Sequence, residues 1–208
     1  MRAHGRERQP IFNLPPATKA LLAANVVVFV AMLLLPASVD DFIVRVFGFA
    51  PERYSALWRG PLWVPIVDPL TYQFLHGGIT HIGVNMLGLV AFGAGVEQRM
   101  GGWRFLFFYL VCGVIGAFTE AIFAPGAGAV MIGASAAVSG LFGAILRFPA
   151  FRRGFWLLVG LWFVLDVVTG MAGIGAEGVP VAWVAHIGGF IAGLALYPLL
   201  VRREFRGR

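Results

Sequence analysis

Apolar residues fill this chain in long blocks, separated by short polar, proline-rich or glycine-rich stops. The blocks fall at residues 18–37, 79–98, 104–123, 133–148, 154–170 and 181–201. Most approach the ~20 residues that a helix rising 1.5 Å per residue needs to cross the hydrocarbon core of a bilayer. The pattern predicts an all-α polytopic membrane protein of six spans. Between the first two spans lies a long loop, residues 38–78. It mixes Asp40, Asp41, Arg45, Glu52, Arg53, Arg59 and Asp68 with Tyr54, Trp58, Trp63 and Tyr72, which suits a structured segment lying in the membrane interface. Two glycine-rich stretches, Gly126 to Ala129 and Gly170 to Pro180 with Glu177, read as loops.

Charge orients the blocks. Six spans bring both ends of the chain to one side. Thirteen of the 16 basic residues fall there: Lys19, Arg99, Arg104, Arg147, Arg152, Arg153 and those of the two ends. Only Arg45, Arg53 and Arg59 fall on the other side. By the positive-inside rule both termini are expected to be cytoplasmic, and the long loop and both glycine-rich loops to face outward. The expected organisation is a basic tail at 1–16, a membrane domain at 17–201 and a second basic tail at 202–208. No cleavable leader is expected, because the first apolar run is long and no clear small-residue cleavage site follows it.

Composition agrees with this class. The chain is 59% hydrophobic and 12% charged, where a soluble domain carries about 25% charged residues. The net charge of +6 would also suit a nucleic-acid binder, but the arginines sit at the ends of apolar blocks rather than on one polar face. No nucleic acid is expected as a partner. The single Cys112 lies in an apolar run, forms no disulfide within the chain and reads as a small packing residue.

Polar residues inside the blocks are the candidates for chemistry. His81 and Asn85 stand four residues apart on the second span and share a face. Ser135 opens the short fourth block, and His186 lies in the sixth. At helical rise, Ser135 lies about 18 Å, Asn85 about 21 Å, His186 about 24 Å and His81 about 27 Å above the cytoplasmic edge. All four therefore share one layer in the outer half of the bilayer. Ser135, Ser139 and Gly143 form a stripe of small residues, and Gly189 and Gly193 form a GxxxG pair on the face of His186. Docking these stripes would bring Ser135 to His186.

A serine beside a histidine base supports acyl transfer, with His81, Asn85 and the N–H groups at the start of the fourth helix able to hold an oxyanion. Taken singly, each residue also has a plainer role. Serine bonds back along its own helix, asparagine joins helices, and a membrane histidine serves as a buried polar partner or in a proton path. Ser139 reads as packing, His76 as a loop-ordering residue, Asp166 as a hydrated helix-end carboxylate, and Glu97 with Arg99 as a cytoplasmic anchor.

Together these residues resemble the rhomboid intramembrane serine proteases over about residues 60–200. The motifs are His76, His81 and Asn85; Glu97-Gln98-Arg99; Gly133-Ala134-Ser135; and Ala185-His186-Ile187-Gly188-Gly189 with Gly193. The resemblance implies a six-helix rhomboid-like bundle of the basic bacterial form, in the inner cell membrane. It implies Ser135 as nucleophile and His186 as general base, a dyad without aspartate. His81, Asn85 and the Ser135 amide match the oxyanion positions. The implied partners are transmembrane protein substrates and the lipid bilayer, with no cofactor and no metal; no oligomeric state is implied.

Three positions depart from the family pattern. Ala136 follows the nucleophile where glycine is common. Ser139 replaces an aromatic that packs on the catalytic histidine. Val67-Asp68 stands where many members carry Trp-Arg. The alternative reading is a catalytically silent relative that binds membrane helices. A transporter would need a polar path through the cytoplasmic halves of the spans, which hold almost no ionisable groups.

Overall fold

A computed structural model describes residues 14–54, 58–124, 130–171, 182–202 and Glu204. The described residues form helices α1 (Pro16–Leu33), α2 (Ala37–Phe47), α3 (Val64–Thr71), α4 (Ile79–Gly88), α5 (Ala94–Met100), α6 (Gly102–Phe123), α7 (Ser135–Ile145), α8 (Phe155–Met171) and α9 (Trp183–Leu200). A π-helical turn, Leu89–Gly93, joins α4 to α5, so Ile79–Met100 is one continuous rod. Pro16–Leu33, Ile79–Met100, Gly102–Phe123 and Trp183–Leu200 are long and apolar enough to cross a membrane. The apolar α7 and α8 are shorter. The loop expected to hold Glu177 lies outside the described residues, as does the side chain of Asp166.

Helices α6, α7 and α9 form the centre. In lipid the tails are as apolar as the helix faces, so close packing rather than water exclusion holds such helices together. Glycine supplies the closeness. A Cβ on Gly189 would stand 2.0 Å from the Ala136 carbonyl oxygen, and one on Gly193 would stand 2.0 Å from that of Gly140. The expected docking of the fourth block on the sixth is therefore present, with one correction. Of the expected stripe Gly143 lies in the seam, where a Cβ would stand 2.4 Å from the Phe190 carbonyl oxygen, but at the other two turns Ala136 and Gly140 stand there in place of Ser135 and Ser139. The shift puts backbone against backbone in the seam and leaves Ser135 at its edge.

Around this centre, Phe105, Phe108, Tyr109, Cys112 and Leu141 are wholly buried. A second aromatic group ties down α8: Trp162 stacks on Phe190 with ring centroids 4.8 Å apart, and Phe142 lies beside both. The opposite face of α8, with Trp156, Leu157, Leu161 and Val164, is exposed, as is expected of a lipid-facing surface.

The long loop contains helices that composition did not announce. Helix α2 buries none of its residues and exposes Phe42, as a helix lying in an interface would. The loop is organised on Arg53 and Asp68. The Arg53 guanidinium meets Asp68 Oδ2 at 2.7 Å and donates to the carbonyls of Gly48 at 2.7 Å and Val46 at 3.2 Å. Asp68 also accepts from the Tyr54 hydroxyl. The Val67-Asp68 departure thus brings its own buried ion pair.

Glu97 closes the other end of the bundle. Its carboxylate accepts the N–H groups of Ala17 at 2.9 Å and Thr18 at 2.6 Å, and the Thr18 hydroxyl at 2.7 Å. The first N–H groups of a helix have no partner within it, so Glu97 caps α1 from 80 residues away.

Candidate active site

Ser135 is the first residue of α7. It is delivered there by a segment tied to the long loop. Phe49 and Met131 exchange N–H···O bonds of 2.9 and 2.7 Å, and the Gly133 N–H donates to the Tyr72 carbonyl at 2.9 Å. Gly133 has φ +116°, a left-handed conformation that disfavours side chains. A Cβ there would also stand 2.5 Å from His81 Nε2. Glycine two residues before the serine therefore answers two demands, backbone turn and close approach of the imidazole.

His186 projects from the first turns of α9, and its Nε2 lies 2.8 Å from Ser135 Oγ. Oγ carries the hydrogen in this pair if Nε2 is the bare nitrogen and Nδ1 the protonated one; the opposite tautomer reverses the donor. The N–H groups of Ser135, Ala136 and Ala137, at the start of α7, have no acceptor within the helix by position. With them, the site presents a hydroxyl, a base and a set of donors.

His81 stands across the site, against Gly133. Its Nδ1 accepts the Gly77 N–H at 3.4 Å, which leaves Nε2 toward the serine segment. Asn85 lies one turn below and is buried; its Nδ2 donates to the His81 carbonyl at 2.9 Å. One amide hydrogen of Asn85 thus secures its own helix, as the plainer reading expects, and the second is not used in that bond. His76 packs edge-on against His81, with ring centroids 5.0 Å apart. It is 3% exposed, and its ring nitrogens have no hydrogen-bond partner among the described residues. Burial, reinforced by the nearby His81, lowers the His76 pKa to about 4. Ser139, one turn beyond Ser135, is buried in the bundle. Among the described residues no three His, Cys, Asp or Glu side chains are grouped to hold a metal ion.

Sequence reasoning missed one residue near this site. Glu120, on α6, is 4% exposed, and its Oε2 accepts the N–H of Ala185 at 2.9 Å, next to His186. The available signal was a carboxylate three residues inside the end of an apolar span, where acids are costly and rare.

A family model described as Rhomboid domain matches residues 62–203. The chain is 29% identical over 180 residues to the rhomboid protease GluP of Bacillus subtilis, covering 86% of this chain and 34% of that protein. It is 33% identical over 142 residues to RHOMBOID-like protein 7 of Arabidopsis thaliana, covering 65% and 44% of the two chains. It is 30% identical over 145 residues to Rhomboid-type serine protease 2 of Emericella nidulans, covering 64% and 26%. The chain spans between about a third and a half of the length of the first curated relatives it matches.

Proposed function

The chain belongs to the rhomboid family and is an integral membrane protein, and from that premise we propose that it is an intramembrane serine endopeptidase. The observation that carries the proposal is the 2.8 Å approach of His186 Nε2 to Ser135 Oγ at the mouth of α7. The substrates are transmembrane proteins, cut in or near a membrane helix. Residues 17–201 are the protease domain between two cytoplasmic tails, in a bacterial cell membrane.

In this reading Ser135 Oγ attacks the scissile carbonyl carbon while His186 Nε2 takes its proton. The carbonyl oxygen becomes an oxyanion, held by the Ser135 backbone N–H, His81 and the free amide hydrogen of Asn85. Collapse breaks the C–N bond, and His186 returns the proton to the leaving amine. Water then attacks the acyl-serine, with His186 again taking the proton, and the carboxylic acid leaves as Ser135 is restored. Donors fixed in place before the reaction need no reorganisation as the oxyanion forms.

The test is cleavage of a panel of transmembrane substrates by the purified protein in proteoliposomes. Ser135→Ala and His186→Ala are each expected to abolish cleavage, and a fluorophosphonate is expected to label Ser135. Cleavage surviving Ser135→Ala would sink the mechanism. Substrate capture without turnover by the unmodified protein would point instead to a silent helix-binding relative.

A further inference from the structure

We infer that Glu120 is a positioning residue for His186, an inference that rests on the protease reading above. Ala185 and His186 are the third and fourth residues of α9. An N–H at the third position has no partner four residues back within the helix. Ala185 is 1% exposed, so water does not supply one freely. Its N–H reaches the Ala182 carbonyl at 3.1 Å and Glu120 Oε2 at 2.9 Å.

The surrounding packing directs that bond at His186. One turn before Glu120, Gly116 brings α6 so close that a Cβ there would stand 2.6 Å from the Ala185 carbonyl oxygen. The peptide unit on each side of Ala185 is thus gripped from α6. On the far side, Gly189 rests on the Ala136 backbone. His186 leaves this clamped turn toward Ser135. Among the described residues, Glu120 on α6 and His81 on α4 are ionisable side chains that act on it from packed helices. Without the carboxylate, the Ala185 N–H would keep only the 3.1 Å bond to Ala182, and the turn that aims the imidazole would lose its polar tie to α6. Displacement of a catalytic group by about 1 Å costs on the order of 100-fold in rate.

Steady-state cleavage of a transmembrane substrate in proteoliposomes tests this with Glu120→Gln and Glu120→Ala. Glutamine keeps length, shape and an acceptor oxygen, and its kcat is expected within about threefold of the unmodified protein. Alanine removes the acceptor, and kcat is expected to fall about tenfold or more with KM within about twofold. A smaller loss in Glu120→Ala, or an equal loss in both variants, overturns the inference. If Glu120→Ala does not fold, hydrogen exchange at the Ala185 amide of the unmodified protein decides. Protection is expected there, and exchange at the rate of an unbonded first-turn amide overturns the inference. Failure of the unmodified protein to show Ser135-dependent cleavage removes both readings. Full activity of Glu120→Ala beside a cleaving parent removes only this one.

Discussion

Gly189→Ala asks whether the α7–α9 seam sets the distance between base and nucleophile. The added Cβ would lie 2.0 Å from the Ala136 carbonyl oxygen and 2.8 Å from its carbon. Ordinary contact begins near 3.4 Å, so α9 must retreat from α7 by about 1.4 Å at that turn. The obstacle is backbone, which cannot rotate aside as a side chain would. His186 sits one turn away on the same helix and moves with it. Starting from 2.8 Å, its bond to Ser135 would pass the ~3.6 Å beyond which no hydrogen bond remains. A misplacement of about 1 Å implies a loss near 100-fold, or about 2.7 kcal/mol of transition-state stabilisation. The overpacked seam should also cost about 1–3 kcal/mol of stability. The assay is kcat on a transmembrane substrate, normalised to folded protein by the thermal midpoint in detergent. Gly83→Ala is the control, because a Cβ there meets no atom within 4 Å. A folded Gly189→Ala protein with kcat within threefold of its parent would refute the reasoning.

Two further outcomes concern the long loop. Asp68→Ala leaves the Arg53 guanidinium buried without its carboxylate, and stability is expected to fall by about 3–5 kcal/mol, read as a lower thermal midpoint; an unchanged midpoint would show that the ion pair does not organise the loop. His76 is held neutral in the fold with its pKa near 4, while the unfolded chain takes a proton near 6.5. Its contribution to stability is therefore complete above about pH 6.5 and is lost as pH falls toward 4, by up to about 3 kcal/mol. His76→Phe should flatten that part of the curve of thermal midpoint against pH, and an unaltered slope would contradict it.

Apolar block length made the helical membrane class legible, because a span must satisfy its backbone internally and must reach across the core. Ser135 and His186 were legible as neighbours because small residues in sequence mark where helix backbones can meet. Gly143 of the expected stripe lies in the seam, but at the two turns before it the face was off by one residue: Ser135 and Ser139 and their neighbours Ala136 and Gly140 are all small, and composition alone does not choose between them. Helices α2 and α3 were not legible, since their short runs depend on the interface and on the Arg53–Asp68 pair, 15 residues apart. Glu97 was legible as an anchor but not as a cap, and Glu120 was not legible at all. Each caps a helix 65 or more residues distant, and nothing local in sequence marks a cap delivered from another helix.

The bridge between Phe49 and Met131 has a consequence for how chain length can vary. Met131 is pinned to the loop, Gly133 is pinned to Tyr72, and Ser135 begins a helix whose glycine seam allows no sliding. The span from Met131 to Ser135 therefore works as a ruler fixed at both ends. One inserted residue would have to bulge out of this short span or break one of the contacts that fix its ends. The stretch from Phe49 to Tyr72 is tied at both ends to the same segment, but it is far longer than the five residues it faces, so an insertion between its ties can be taken up away from the nucleophile. Divergence in this protein, natural or engineered, has room in the loop and none in the five residues that it holds.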